Sequence, residues 1–511
     1  MSVLITLWLL LSSVLVFGQY GNSELDSRVY YDISEALQTP KAVTKLYLDH
    51  HNLKTLSPNI VKFQNLRELQ LGGNDQMDWD AAFELLVQLP QLEKLSLSEN
   101  RIEKIPEAIK QLEQLEELIL VGNNNLDWKQ AFNQLALLPS LKYLDISNSG
   151  IKDLPVNIGQ LVHLEKLFMW GNKLINLPPS IGNLKKLEEL DLSNNRLRRL
   201  TSTIKNLKQL SSLYLWNNHL TELPNELGQL KRLEILNLGG NNLTTLPKSI
   251  KGLKRLRSID LAYNNLLYLP ATFSSLTNLR TLDMEGNPKM NWTTLFVQPQ
   301  KMNRLKVLNL INNQLIDLPP NIDHLVNLET LDLKQNPEVN WRSVFVQLAR
   351  LSQLKNLDVS DNEIKTIPEE ITYIQNLKYL HLGSNAGLDW QQAFVNIANL
   401  KTLEVLILSS NELTELAEEI KQLNNLKELE LGNNPELNLD QLFETLAGMQ
   451  GLETLSLIDN QIERISSTVS KVKHLKELHF WMNTISMDSP EHNQIQELLP
   501  ETSIIYMPRY F

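Results

Sequence analysis

From Val43 onward the apolar and polar positions repeat one short figure, L-x-x-L-x-L-x-x-N-x-L, which occurs nineteen times. The L-x-L segment predicts a short β-strand. Alternate side chains of a strand face opposite ways, so the leucines share one side and the residues between them share the other. One copy cannot bury its leucines alone; consecutive copies must stack into a parallel sheet over a continuous apolar layer. The ninth position is Asn in seventeen copies, from Asn74 and Asn100 to Asn460 and Asn483, with His51 and Ser149 as the exceptions. A carboxamide has two N–H donors and an acceptor oxygen. At the turn after the strand it can satisfy backbone groups of its own and the neighbouring turn.

Successive ninth positions are 23 or 26 residues apart, and the longer steps begin at Asn74, Asn123, Asn287, Asn336, Asn385 and Asn434. Six uninterrupted 23-residue steps separate Ser149 from Asn287. Many short steps carry LPxxI, as in Leu177-Pro178-Pro179-Ser180-Ile181. Proline cannot donate to a ladder, which predicts an extended segment or a short helical turn there. The long steps carry DWDAAF, DWKQAF, NWTTLF, NWRSVF, DWQQAF and NLDQLF. Asp or Asn is a good helix N-cap, and Trp and Phe four residues apart meet on one helix face. Trp79, Trp128, Trp292, Trp341 and Trp390 are therefore read as structural, closing the back of the repeat over the core.

Both ends carry capping signals. Asp32-Ile33-Ser34-Glu35 has capping-box spacing, with Asp in place of Ser or Thr, and predicts a helix over the first repeat. Ser489-Pro490-Glu491 opens a second helix with Pro in its first turn, and Ile504-Ile505-Tyr506 predicts a last edge strand. Ahead of these, Val3 to Phe17 is a mostly apolar run, shorter than the roughly 20 residues of a membrane span. Its length suits a signal peptide cut ahead of Gln19, although its first residues carry no Lys or Arg. The expected organisation is a signal peptide at 1–18, a helical cap at 19–42, repeats at 43–485 and a C-terminal cap at 486–511.

The repeat L-x-x-L-x-L-x-x-N-x-L with LPxxI resembles the leucine-rich repeat of the 23-residue class, over roughly residues 24–511. The entry ISEALQTPKAVTKLYLDHHNL and the exit LLPETSIIY resemble repeat-only proteins of Bacteroidetes-like bacteria. The resemblance implies an α/β leucine-rich-repeat solenoid. Its expected form is a right-handed arc of about nineteen repeats, with a parallel sheet on the concave face and short helices and extended segments on the convex face. It also implies a repeat-only protein used for binding; the same class occurs in intracellular scaffolds of the Scribble type.

Composition narrows the chemistry. The formal charge is -11, which argues against a nucleic-acid partner because phosphate recognition needs a basic face. There are no cysteines, so disulfides, thiolate nucleophiles and Cys-based zinc sites are excluded. The sequence has no Walker loop, no Gly-rich dinucleotide turn, no HExxH and no GxSxG. His50-His51 reads as structural, with His51 in the turn position, and His381 and His479 lie far apart. No enzyme activity, metal or cofactor is expected.

What remains is the strand face away from the leucines. Phe168, Trp170, Tyr214 and Trp216 occupy slots that other repeats fill with small polar residues, as in LEELDLSNNRL. Asp145 and Asp191 are interleaved with them, and Tyr263 lies further on. Strands about 4.8 Å apart would set Trp170 and Trp216 on either side of Asp191, suited to a basic side chain, a cation or a sugar ring. The alternative is that these aromatics lean on their neighbours and stiffen the sheet. A second patch is acidic: Asp260, Asp283 and Glu285, then Asp332 and Asp358. A basic partner would relieve like charges across a sheet, but LDL is also the ordinary form of this strand, and solvation favours that reading. The sequence thus predicts an exported, non-enzymatic scaffold that binds a protein or peptide on its concave face, with a glycan as second candidate. An intracellular scaffold and a glycan-active enzyme are the competing readings.

Overall fold

The structure, a computed structural model, describes residues 28–296, 299–485, 487 and 489–506. The expected signal peptide at 1–18 lies outside these residues. The chain forms two compact units that divide between Leu141 and Lys142. In the first, strands Val29–Tyr30, Lys45–Tyr47, Glu68–Gln70, Lys94–Ser96 and Glu117–Ile119 pair in parallel in chain order. In the second, sixteen three-residue strands run in the same way from Tyr143–Asp145 to Ser503–Ile505. Each sheet is open, and each pairing aligns equivalent residues of neighbouring repeats, as in Leu190 with Leu213 and Leu213 with Leu236.

The leucines form the buried layer. Leu167, Leu190, Leu213 and Leu236 have no exposed surface, while the residues on either side of them in the strand are mostly half-buried. The turn asparagines act as their composition predicts. Buried Asn241 donates to the carbonyls of Leu215 (3.0 Å), Leu238 (2.9 Å) and Gly239 (3.1 Å), and accepts from Leu220 N at 3.0 Å. His51 takes the same place in the first repeat, with its ring nitrogens 2.8 Å from Asp49 O and 3.0 Å from Tyr31 O. The residue before the turn Asn has positive φ in all nineteen repeats. That left-handed conformation suits Gly and Asn and strains bulkier residues.

Behind the sheet, step length selects the element. Most short steps make five-residue 3-10 turns, and in Pro179–Asn183 and Lys248–Gly252 a buried isoleucine anchors the turn. Five of the six long steps make eight-residue α-helices: Trp79–Leu86, Trp128–Leu135, Trp341–Leu348, Trp390–Ile397 and Leu439–Leu446. Asp78, Asp127, Asn340, Asp389 and Asn438 cap them through side-chain oxygens. The Trp and Phe rings meet with centroids 5.7–6.2 Å apart. The sixth long step departs from expectation: Asn291 caps only the turn Trp292–Thr294, and a second turn begins at Pro299. Pro299 falls where the other helices have their eighth residue, and its ring would strike the carbonyl four residues back.

The ends are capped. Asp32 Oδ1 accepts from Glu35 N at 2.9 Å to start the helix Ile33–Ala36, but the Glu35 carboxylate pairs with Arg28. Strand Val29–Tyr30, not foreseen in the sequence, adds to the edge of the first repeat. Ser489 caps Pro490–Leu498, and Ser503–Ile505 pairs with Glu477–His479.

Candidate binding site on the strand face

The candidate residues all belong to the second unit. Strand pairing sets the fifth residues of successive repeats in one row: Asp145, Phe168, Asp191, Tyr214, Asn237, Asp260, Asp283, Asn309, Asp332, Asp358 and His381. Seventh residues, such as Trp170 and Trp216, project just beyond the row.

The acidic members have a local task. In each, Oδ1 accepts from the backbone N–H two residues on: Asp145 from Ser147 (2.9 Å), Asp191 from Ser193 (2.8 Å), Asp260 from Ala262 (2.8 Å), Asp283 from Glu285 (3.0 Å), Asp332 from Lys334 (3.0 Å) and Asp358 from Ser360 (2.8 Å). Asn237 and Asn309 do the same for Gly239 and Ile311. This side-chain turn explains why Asp and Asn recur at the end of so many strands.

The aromatics separate into two kinds. The Phe168 ring is half-buried and packs on Tyr143, with centroids 5.2 Å apart and planes 34° apart. Tyr214 is also half-buried, and burial pushes its phenol up to about 12. Phe168 thus has a ring neighbour of its own within the sheet. Trp170 and Trp216 are 38 % and 41 % exposed. Trp216 rests on the strand that follows it, not towards Asp191: a Cβ built on Gly239 would lie 2.8 Å from the indole Cδ1 and 2.9 Å from Asp260 Oδ1. Gly239 lacks the side chain that Ser193 carries at the equivalent place, so the ring has a berth only on that side.

Tyr263 repeats this arrangement. It is 54 % exposed, sits in the left-handed conformation at φ 50°, and its ring lies over Gly286, where a Cβ would come within 2.7 Å of Cδ1. Its hydroxyl donates to Glu285, and burial with that bond pushes the phenol up to about 12. Asn309 donates to Asp283 at 3.1 Å and to Glu285 at 3.4 Å. The two patches that look separate in sequence therefore meet: Trp216, Asp260, Tyr263, Asp283 and Glu285 form one surface with Gly239, Gly286 and Asn309. Phe168 and Trp170 lie outside it, two repeats back.

Burial raises the carboxyls of Asp260 and Asp283, to about 6 and about 7, and the charge of Asp260 adds to the shift at Asp283. Asp332 and Asp358 belong to a different, buried cluster. Burial, then the charge of Asp358, raises Asp332 well above the ordinary carboxylate value. Burial also pushes Asp358 upward, but the hydrogen bond and charge of His381, 2.8 Å away, outweigh it and hold Asp358 below its ordinary value. Both acids are nearly buried, as Asp283 is, and what sets this cluster apart is that Asp358 is already engaged by His381. Asp145 and Asp191 are raised by burial as well. Among the described residues, no group of three or more His, Cys, Asp or Glu is placed to hold a metal ion.

The repeat geometry is matched by family models. One described as a leucine-rich repeat region covers residues 123–218 and 341–500, and one described as a leucine rich repeat covers 84–126, 208–266 and 247–288. The chain belongs to the leucine-rich-repeat family. A leucine-rich-repeat protein of Leptospira interrogans with a solved structure is 29 % identical, with TM-score 0.55, covering 94 % of this chain and 100 % of that one. TLR13, solved in complex with ssRNA13, shares the fold at 22 % identity, with TM-score 0.65, covering 95 % of this chain and 73 % of its own. No curated protein sequence matches significantly. Gly239, Gly286 and Asn309 are residues of this candidate surface that the sequence pattern did not single out. The available signal was a glycine one repeat after an aromatic, at the same or nearly the same position.

Proposed function

We propose that this leucine-rich-repeat protein is a non-enzymatic binding scaffold, exported from a bacterial cell, that recognises a basic segment of a protein or peptide partner. The observation that carries this reading is the exposed Trp216 indole held over Gly239 beside the Asp260 carboxylate. A Lys or Arg side chain lying along Trp216 would meet an aromatic face and then the charges of Asp260, Asp283 and Glu285. Buried carboxylates with raised pKa values gain when a cation arrives, because the cation restores what desolvation removed. The repeats hold these groups in place before binding, which lowers the ordering cost of association. TLR13 was solved with RNA; here the row of carboxylates favours a cationic partner instead.

The test is a binding screen of the full chain against basic, neutral and acidic peptide pools, repeated with Trp216→Ala and Trp170→Ala. Trp216→Ala should weaken binding of the basic pool by more than about 1 kcal/mol, the usual scale of a hot-spot residue, with an almost unchanged melting temperature. Preference for the acidic pool would refute the reading. Export is tested by N-terminal sequencing of the mature protein, where an intact Met1 would refute it.

A further inference from the structure

A second feature lies off the strand face, at the N-terminal ends of the strands. The second residue of each repeat precedes the strand, and the backbone sets these residues side by side: Arg257 N donates to Glu234 O (2.8 Å), Arg280 N to Arg257 O (2.7 Å) and Lys306 N to Arg280 O (2.8 Å). Along this column cations stand next to glutamates. Arg257 pairs with Glu234, Lys306 and Lys355 share Glu329, Lys378 and Lys427 share Glu404, and Lys476 pairs with Glu453. Arg280 breaks the pattern, because its neighbours in the column are Arg257 and Lys306. Like charges in adjacent strands repel.

Two more arginines, each two residues ahead of the column, converge on the same place. Arg255, Arg257, Arg280 and Arg304, with Asn278 and Glu234, line a depression of about 220 Å³. Arg304 is held there by a 2.6 Å bond from Nη1 to Asn278 Oδ1, and Asn278 is itself fixed to Lys254 O at 2.6 Å. Among the described residues, no carboxylate lies within ion-pair distance of Arg255, Arg280 or Arg304. Glu234, the acid of the lining, is engaged by Arg257 at 3.1 Å. In a chain of net charge -11 this concentrates positive charge at one point.

We propose that this depression binds a doubly charged tetrahedral oxyanion, the phosphate or sulfate group of a small monoester or the free ion. Guanidinium groups present paired N–H donors that match such oxygens. The anion would sit at Arg280, between Arg257 and Arg304, and cancel the repulsion along the column. The volume leaves room for the body that carries the group. This site is independent of the strand face.

The test is calorimetric titration of the full chain in low-salt, phosphate-free buffer with inorganic phosphate, inorganic sulfate, glucose 6-phosphate and glucose. The anions should bind and glucose should not. Tighter binding of glucose 6-phosphate than of phosphate assigns the esterified group, and equal binding assigns the free ion. Arg280→Gln should weaken anion binding at least tenfold while melting at the same temperature as the wild type or higher. Trp216→Ala should bind the anions as the wild type does. The proposal is overturned by an absence of heat with every anion, by unchanged affinity in Arg280→Gln, or by loss of anion binding in Trp216→Ala. Tighter binding of a single-stranded oligonucleotide than of glucose 6-phosphate overturns it too.

Discussion

The indole of Trp216 lies so close over Gly239 that an added Cβ would meet Cδ1 at 2.8 Å. The contact crosses from the strand Ser212–Tyr214 to Ile235–Asn237, which pair in register. It makes the glycine part of the site. Gly239 is not among the residues with positive φ, so alanine there meets no backbone strain. What must move is the end of the Trp216 ring and the Asp260 carboxylate. Gly239→Ala should therefore weaken binding of a basic peptide nearly as much as Trp216→Ala while changing the melting temperature little. Calorimetric titration and thermal melts of the same sample check both halves. Gly286→Ala is a poorer probe, because φ there is +64° and the backbone itself would be strained.

The acidic row predicts a pH dependence with a definite sign. Asp260 and Asp283 have carboxyls raised above their unfolded values, so the folded state holds more protons than the unfolded one. Their contribution to stability is full below about pH 4 and is lost as pH rises through about 6 to 7. Glu329 and Glu404 act in the opposite sense. Hydrogen bonds from Lys306 and from Lys378 and Lys427 hold them low, so their contribution fades as pH falls through the ordinary glutamate range. The melting temperature should thus peak near pH 5 and decline towards pH 7.5. Asp260→Asn should flatten that decline and stabilise the protein by on the order of 1 kcal/mol at pH 7.5, since each pKa unit corresponds to about 1.4 kcal/mol. The turn survives the change, because Asn237 and Asn309 already make the same bond. Melting curves of both proteins from pH 4.5 to 8 check it.

The repeat strands, the turn amides and the N-caps Asp32 and Ser489 were legible because each depends on residues within one repeat and its neighbours. The site was only half legible. Exposure of Trp170 and Trp216 follows from their seventh position, since the core is already supplied by leucine. The direction of the Trp216 ring does not follow, because it is decided by the absence of a side chain at Gly239, 23 positions along. Phe168, at the fifth position, faces the same side as Trp170, yet Tyr143 in the neighbouring strand packs against its ring. Asp332 and Asp358 resemble Asp260 in sequence, and the pairing of Asp358 with His381, one repeat on, was not readable from the repeat pattern. Pro299 was visible all along, but its effect on the Trp292 step depended on which helical position it would occupy.

The tryptophans behind the sheet allow a sharper test of their structural role. The indole N–H groups of Trp79, Trp128, Trp292, Trp341 and Trp390 are buried and meet no acceptor among the described residues. These rings act through area alone, and Leu439 fills the slot in the last long step without a donor. Trp341→Phe should accordingly cost less than about 1.5 kcal/mol, because the lost contact is offset by removal of an unpaired donor. Phe345→Ala, on the same helix and fully buried, should cost about 3–5 kcal/mol through the cavity it leaves. Denaturant titration of the two variants gives the comparison. A larger loss for Trp341→Phe would mean that the indole does more than fill space.

Tyr263 joins backbone strain to the proposed site. The residue before the turn Asn is left-handed in every repeat, and here it is an aromatic with φ 50°, while Asn148, Asn194 and Asn217 meet the same demand with a smaller side chain. A bulky residue in that region is held at a cost of roughly 1 kcal/mol or more. Its return is the ring over Gly286 and the hydroxyl bonded to Glu285 at the edge of the proposed site. Tyr263→Asn should therefore raise stability by about 0.5–1 kcal/mol and weaken binding of the basic peptide, the trade expected where a strained residue serves a ligand. Tyr263→Phe separates the parts, since it keeps the ring and the strain but frees Glu285. If Tyr263→Asn proved less stable than the wild type, the ring would be a structural support, and its place in the binding surface would have to be given up.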